Sequence, residues 1–279
     1  MKEFYTRSIT AFTYALVLLF SLFYNQYLFF SIGFICSLIL VFEFIKLVSD
    51  YNHKFLSSDS GKSYLILYLT FPLYLSLFIL SKYPEFQIGF LIIIVITNIL
   101  LGFSLLKKKL FSFSILKNRF LGHFYLVGSL VIFFSMSNVS GTYNPLIVFC
   151  FLSLIWISDS AAYVFGVSFG KRPLLKSVSP KKSIEGFVGG IIFSIILALI
   201  FNFYLNTNFS LIQWLIIGVL TSILGTLGDL VQSQFKREAG VKDSGKWLPG
   251  HGGLYDRMDS IIFTAPFIYL LIIIFNYVS

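Results

Sequence analysis

The sequence predicts an all-α protein that crosses a membrane about nine times, on the basis of its composition and its recurring apolar runs. Hydrophobic residues make up 57% of the 279 residues and charged residues only 12%, and the mean hydropathy is +0.87. Because a bilayer core of about 30 Å requires roughly 20 apolar residues in a helix, nine runs qualify as spans. In chain order they cover residues 8–24, 27–48, 63–81, 86–106, 120–136, 144–168, 186–206, 209–228 and 260–278.

These spans fall into two regions of the chain. Residues 1–143 contain the first five spans, and residues 144–279 contain the last four together with two polar loops, 170–185 and 229–259. Neither loop is long enough to bury a core of its own. No separate soluble domain is therefore expected.

The distribution of basic residues predicts the orientation, because short cytoplasmic loops retain Lys and Arg. Of the 21 basic residues, all except Lys82 precede the first span or lie at or after the end of an even-numbered span. The N-terminus and the even-numbered loops are therefore predicted to be cytoplasmic. These loops also explain the net charge of +9, since they attract the anionic headgroups of membrane lipids, and no nucleic-acid partner is expected.

One acidic residue is predicted to lie inside the membrane. Asp159 falls well within the sixth span, between Ser158 and Ser160. A carboxylate at membrane depth is costly and needs a partner or a water-filled cavity, so it is a candidate functional residue by default. The alternative is a structural role, in which the side chain anchors the span through hydrogen bonds.

The segment that opens the seventh span carries a candidate phosphate site. Ser183 or a neighbouring residue is expected to cap the helix, and the free N–H groups of the first turn lie beside Lys181 and Lys182. Such a helix start with adjacent cations suits a phosphate group. The alternative is an ordinary helix cap, with lysines that only set the orientation of the chain.

Three acidic residues around the last loop are candidate metal ligands. Asp229 ends the eighth span, and Asp256 and Asp259 lie three residues apart at the start of the ninth, which places their carboxylates on neighbouring faces of a helix. Mg²⁺ prefers such carboxylates combined with substrate phosphates to a cage built by the protein alone. The alternative for Asp256 and Asp259 is a favourable interaction with the dipole of the helix that they begin.

The loop between these acids is rich in groups that suit a phosphate. Lys236, Arg237 and Lys242 offer donors for phosphate oxygens, and the glycines of residues 249–253 let the backbone approach a ligand closely. His251 lies in this stretch, as either a site residue or a structural turn residue. No second His or Cys follows nearby, so zinc is not expected.

Together these residues form a pattern that resembles the signature of the phosphatidate cytidylyltransferase family, whose members are also called CDP-diacylglycerol synthases. The matching positions are Ser233-x-Phe235-Lys236-Arg237, Lys242-Asp243-x-Gly245 and Leu248-Pro-Gly-His251-Gly-Gly-Leu254-x-Asp256-Arg257-Met258-Asp259. Gly228-Asp229-Leu230, Asp159 and residues 179–183 extend the resemblance over residues 156–260. Ser160 and Ser183 stand where the family commonly has Thr, and both keep the hydroxyl.

The resemblance implies an enzyme that transfers a cytidylyl group from CTP to phosphatidate, giving CDP-diacylglycerol and pyrophosphate. It implies Mg²⁺ as the cofactor, with a second cation left open, and a homodimer in the inner cell membrane. The active site would face the cytoplasm, where CTP is found. The attacking lipid phosphate is already anionic, so no strong general base is required, and electrostatic stabilisation is expected to supply most of the catalysis.

The resemblance also assigns roles to individual residues. Catalytic roles fall to Lys236, Arg237, Lys242, Asp243, His251, Arg257 and Asp159. Substrate-binding roles fall to Ser179, Lys181, Lys182, Ser183, Ser233, Gly252 and Gly253. The expected metal ligands are Asp229, Asp256 and Asp259.

Two alternatives remain open from the sequence. A related CTP-dependent lipid enzyme, such as a lipid kinase or an ether-lipid cytidylyltransferase, would share this chemistry and differ in its product. A membrane transporter would also use Asp159 in a cavity, but it would not need a cytoplasmic cluster of acids, cations and glycines.

Overall fold

The computed structural model describes residues 2–51, 70–78, 84–106, 120–205, 209–245, 247 and 252–278. Its helices are α1 (Lys2–Tyr24), α2 (Gln26–Tyr51), α3 (Pro84–Leu106), α4 (Ser129–Ser135), α5 (Pro145–Phe169), α6 (Ile184–Tyr204), α7 (Leu211–Glu238) and α8 (Tyr255–Val278). Residues 70–78 are also helical. A π-helix, Leu121–Gly128, leads into α4, and a 3₁₀ turn, Met136–Asn138, follows it.

Seven helical segments in the part of the chain that the structure describes are long and apolar enough to cross a membrane. They are Gln26–Leu47, Glu85–Leu105, Leu121–Asn138, Pro145–Phe169, Ile184–Tyr204, Leu211–Glu238 and Tyr255–Asn276. This finding confirms the predicted all-α membrane protein with several spans. The predicted span 8–24 corresponds to α1, whose apolar stretch is the shorter Phe12–Tyr24. The predicted span 63–81 corresponds to a helix that the structure describes only over residues 70–78. The count of nine and the cytoplasmic N-terminus stay predictions.

Small residues let α5, α6 and α7 pack at close range. A Cβ atom on Gly186 would lie 2.5 Å from the backbone oxygen of Ala162, and one on Gly190 would lie 3.0 Å from that of Ser158. Between α6 and α7, a Cβ atom on Gly218 would lie 3.0 Å from the backbone oxygen of Ser194. Such close backbone approach is typical of helix pairs in membranes, and it holds the end of α5 beside α6 and α7.

The helices before residue 143 share an aromatic core with the helices after it. The rings of Phe29 and Phe134 lie 4.6 Å apart, inside the first region. Phe235 of α7 connects the two regions, because its ring lies 6.4 Å from Phe44 of α2 and 5.9 Å from Tyr125 of the π-helix. Aromatic pairs at these distances add to the apolar packing, so α2 and the π-helix support α7 directly.

The predicted loop 170–185 contains a small β-hairpin that the all-α interpretation did not include. Strands β1 (Pro173–Leu175) and β2 (Ser179–Ser183) pair antiparallel, with Pro173 opposite Ser183. Ser183 then caps α6, as predicted, because its Oγ accepts a hydrogen bond from the backbone N–H of Gly186 at 3.1 Å. The hairpin therefore feeds directly into α6 and fixes where the end of β2 lies.

The predicted loop 229–259 is shorter in the structure, because both flanking helices extend into it. Helix α7 runs to Glu238 rather than ending near residue 228, and α8 begins at Tyr255. The last turns of α7 bury polar side chains together with apolar ones: residues 230–235 are all buried, including Gln232, Ser233 and Gln234. Counting apolar residues misses such a helix end, because several of its buried positions are polar.

Candidate active site

The centre of the candidate site is an ion pair between the hairpin and α7. The Nζ atom of Lys182 lies 2.5 Å from Asp229 Oδ2, and Ser233 Oγ donates a hydrogen bond to Asp229 Oδ1 at 3.1 Å. Ser233 is one helical turn beyond Asp229, so both side chains lie on the same face of α7. The structure thus brings two predicted substrate-binding residues onto one predicted metal ligand.

Three carboxylates influence the charge state of Lys182. Burial by itself would lower its pKa, but Asp229, together with Asp159 and Asp259, raises the pKa of Lys182 above the usual value for lysine. The ammonium group therefore stays charged at neutral pH. It is a cation within electrostatic range of three acidic side chains.

Asp159, Asp229 and Asp259 lie on three different helices and within electrostatic range of one another. Asp159 interacts electrostatically with Asp229, Lys182 and Arg257, and Asp259 interacts with Asp229 and Asp159. The carboxylate of Asp259 is buried, and its Oδ1 accepts a hydrogen bond from the N–H of Ser260 at 2.8 Å. Like charges repel when gathered in this way, so the arrangement favours a bound cation.

The described residues contain no group of three or more His, Cys, Asp or Glu side chains already arranged to hold a metal ion. Mg²⁺ does not require one, since it commonly uses one or two carboxylates with substrate phosphates and water. Asp229 and Asp259 offer the hard oxygen donors that such an ion prefers. A metal ion at Asp229 would have to displace Lys182 or Ser233, which contact its two carboxylate oxygens. Asp159 is exposed and lies within electrostatic range of both.

Asp256, the third predicted metal ligand, has a different environment. Its Oδ1 accepts hydrogen bonds from Lys236 Nζ at 2.7 Å and Gln232 Nε2 at 2.9 Å. Its Oδ2 accepts from the N–H groups of Ser244 and Gly253, each at 2.9 Å, and lies 3.1 Å from Ser244 Oγ. These donors occupy most of the capacity of the carboxylate. A metal ion at Asp256 would have to displace at least one of them.

The glycines near Asp256 are required by the geometry. Gly252 has φ +87°, and a Cβ atom there would lie 2.7 Å from Asp256 Oδ2. At Gly253 a Cβ atom would collide with the hydroxyl of Ser244. Both glycines, predicted to bind substrate, therefore let the backbone pack closely, against Asp256 at Gly252 and against Ser244 at Gly253.

The remaining predicted residues lie around this centre or outside the described part of the chain. Arg237, Lys242, Asp243, Arg257 and Lys181 are exposed, Ser179 is half-buried, and His251 lies outside the described residues. Arg237 donates a hydrogen bond to the backbone oxygen of Val241 at 3.4 Å. Of these cations, Arg257 interacts electrostatically with Asp159, and all of them have exposed side chains that a negatively charged ligand can reach.

The sequence analysis missed Glu43 of α2, which contacts the loop between α7 and α8. Its carboxylate accepts hydrogen bonds from Ser244 Oγ and from the N–H groups of Leu254 and Tyr255. The available signal was the same one that identified Asp159, an acidic residue inside an apolar run. It was overlooked because the loop lies far from α2 in the sequence.

Comparison with known proteins gives consistent matches. The sequence model of the cytidylyltransferase family matches residues 5–275. The phosphatidate cytidylyltransferase of Staphylococcus haemolyticus is 40% identical over 181 residues, which cover 65% of this chain and 68% of that protein. The phosphatidate cytidylyltransferase of Bacillus subtilis is 40% identical over 178 residues, which cover 64% of this chain and 66% of that protein.

Proposed function

Because this chain belongs to the cytidylyltransferase family, we propose that it transfers the cytidylyl group of CTP to phosphatidate, giving CDP-diacylglycerol and pyrophosphate for phospholipid synthesis. The observation that carries this proposal is the contact between Lys182 and Asp229 at 2.5 Å. It joins two separate parts of the resemblance, the hairpin segment and the end of α7, in one charged site. The relatives named phosphatidate cytidylyltransferase support the same substrates.

In this reaction an oxygen of the lipid phosphate attacks the α-phosphorus of CTP. The bond from the α-phosphorus to the oxygen that bridges it to the β-phosphate breaks, and pyrophosphate leaves with that oxygen. The nucleophile carries its negative charge at neutral pH, so no side chain has to remove a proton. The protein must instead bring two anions together and stabilise the charge on the leaving group.

Lys182 and the exposed cations supply this stabilisation in our proposal. Lys182 remains charged because its pKa is raised, and it lies next to the carboxylates rather than in open solvent. Arg237, Lys242 and Arg257 are exposed at the same end of the bundle, where they can bind the triphosphate. Lys181 and Ser179 of the hairpin would receive the lipid phosphate or CTP.

We further propose that Asp229 and Asp259, with Asp159 nearby, hold Mg²⁺ together with substrate phosphates. The ion would neutralise phosphate charge during the transfer. The mutual repulsion of these carboxylates supports the proposal. Asp256 would mainly organise the loop, given its five hydrogen-bonding contacts.

The setting that we propose is the cytoplasmic face of the cell membrane, with a homodimer as the assembly. The charge asymmetry of the loops supports this orientation. CTP is a cytoplasmic nucleotide, and phosphatidate presents its phosphate at the membrane surface, so both substrates reach the site from the same side.

The experiment is incubation of the purified protein with CTP, Mg²⁺ and phosphatidate, followed by separate measurement of CDP-lipid and pyrophosphate. We expect equal amounts of the two products, and neither when phosphatidate is omitted. CDP in the aqueous phase together with a newly phosphorylated lipid would indicate a lipid kinase and would overturn the proposal. A parallel reaction with the ether-linked analogue measures whether the linkage to the lipid chains matters.

A further inference from the structure

Glu43 is a buried acid in an otherwise apolar helix. Its side chain is 1% exposed, and its neighbours Val41 and Phe44 are equally buried. A carboxylate in such surroundings is costly unless several donors satisfy it. Because the predicted roles do not involve Glu43, its presence needs a separate explanation.

The donors that satisfy Glu43 come from the start of α8. The backbone N–H of Leu254 donates to Glu43 Oε1 at 3.0 Å, and that of Tyr255 donates to Oε2 at 2.9 Å. Tyr255 is the first residue of α8, and N–H groups at a helix start have no partner within the helix. Glu43 therefore caps α8 from a distant part of the chain, where its negative charge also suits the helix dipole.

Ser244 extends this contact to the other end of the loop. Its hydroxyl oxygen lies 3.0 Å from Glu43 Oε2 and 3.1 Å from Asp256 Oδ2, so it bridges the two carboxylates. Trp247, farther along the loop, packs edge-on against Phe42 of α2 at 6.3 Å between ring centroids. Both described ends of the loop are thus attached to the same stretch of α2.

Two glycines of the loop let the backbone pack directly against the Glu43 carboxylate. A Cβ atom on Gly245 or on Gly253 would collide with the Glu43 carboxylate. The backbone at these two positions therefore approaches the carboxylate more closely than any other residue type would permit. Such a close fit leaves Gly245 and Gly253 little freedom to shift while Glu43 keeps its position.

We propose that Glu43 is a positioning residue for cytidylyl transfer, holding the loop and the first turn of α8 so that Asp256 and Lys236 keep their places in the active site. This inference rests on the proposed function for its effect on rate. The chain of contacts runs from Glu43 through Ser244 to Asp256, and from Asp256 to Lys236 at 2.7 Å. Helix α2, in the first half of the chain, would thus help to position the residues of the active site.

The test variant is Glu43→Gln, which keeps the shape but offers one acceptor atom to three donors and turns an amide N–H toward them. We expect kcat per folded molecule to fall about 10–100-fold, the scale seen when a residue that orients a site is lost, with a smaller change in KM. Glu43→Asp, which keeps the charge, should recover part of the rate. The matched control is Ser37→Ala, a buried change in the same helix, where the hydroxyl donates a hydrogen bond to the backbone oxygen of Phe34 at 2.7 Å.

A second readout does not depend on the reaction. Trypsin cleavage after Lys242, which is exposed in the loop, should be roughly ten times faster in Glu43→Gln than in the wild type or in Ser37→Ala, because loosened segments are cleaved through local opening. If the wild type made no CDP-lipid, the proposed function would fail, while cleavage would still test the attachment of the loop.

Ser244→Ala covers the case in which Glu43→Gln does not fold, because it removes only the bridging hydroxyl. We expect it to raise cleavage after Lys242 and to lower kcat. In the double variant Glu43→Gln/Ser244→Ala, the fall in kcat should be smaller than the product of the two single falls, since both changes break the same contact. Wild-type cleavage and wild-type kcat in folded Glu43→Gln, or in Ser244→Ala when Glu43→Gln does not fold, would overturn the proposal.

Discussion

Lys182 of the hairpin and Asp229 of α7 form an ion pair at 2.5 Å, although they lie on separate segments of the chain. The pair places a charged lysine against a carboxylate that is repelled by Asp159 and Asp259. The hairpin is therefore part of the charged centre rather than a simple connection between α5 and α6.

Removal of the Lys182 charge should impair catalysis. Lys182→Met keeps most of the side-chain volume but leaves Asp229 without its ion-pair partner, and we expect kcat to fall by roughly 100-fold or more, on the scale of losing one preorganised electrostatic group. The control is Lys176→Met, an exposed lysine in the turn of the same hairpin. Equal rates for the two variants would contradict a role for Lys182.

The ion pair of Lys182 and Asp229 should stabilise the fold equally from neutral pH up to about pH 10. Because the pKa of Lys182 is raised in the folded state above the usual value of about 10.4, the stabilisation is fully present below about pH 10 and is lost as the pH rises through the raised value. The difference in Tm between the wild type and Lys182→Met should therefore stay constant from about pH 7 to pH 10. A difference that fades steadily within that window would show that the pair does not have this effect.

Asp259 and Asp256 should respond differently to neutralisation. Asp259→Asn removes one of several like charges, so we expect an activity loss of roughly 100-fold with a Tm equal to or above that of the wild type. Asp256→Asn weakens the hydrogen bonds that hold the loop, so the Tm should fall together with the activity. Kinetic assays and thermal unfolding in detergent measure both effects. The same fall in Tm for both variants would contradict the distinction.

Gly252 should tolerate no side chain, and Gly240 provides a matched comparison. Both have positive φ, +87° and +71° respectively, but a Cβ atom on Gly252 would lie 2.7 Å from Asp256 Oδ2, whereas one on Gly240 would meet none of the described residues within 4 Å. Gly240→Ala should cost only the backbone strain, about 1 kcal/mol. Gly252→Ala should in addition displace Asp256 and lower kcat, which steady-state kinetics at saturating CTP would detect. Similar kcat values for the two variants would contradict this explanation.

The sequence was sufficient for the features that depend on local pattern. Apolar runs predicted the membrane helices, and Ser183 was correctly expected to cap a helix at the start of α6. The hairpin was missed because its strands have three and five residues, too short to show a strand pattern. The extension of α7 to Glu238 was missed because this end of the helix buries polar residues, Gln232, Ser233 and Gln234, among apolar ones.

The contacts of the site depended on tertiary structure. The sequence placed Asp256 among the metal ligands, but it could not show that donors from α7 and the loop surround this carboxylate. The role of Glu43 was equally hidden, because its partners lie 201 to 212 residues away. The sequence identifies which residues carry charge, but the tertiary packing determines which of these side chains contact one another.

The most direct test of the proposed reaction is the fate of the α-phosphate of CTP. Parallel reactions of the purified protein with phosphatidate and Mg²⁺ would use CTP labelled with ³²P at either the α- or the γ-phosphate. We expect the α-label to enter the lipid phase and the γ-label to remain in water as pyrophosphate. Transfer of the γ-label to lipid, or no α-label in lipid, would contradict it.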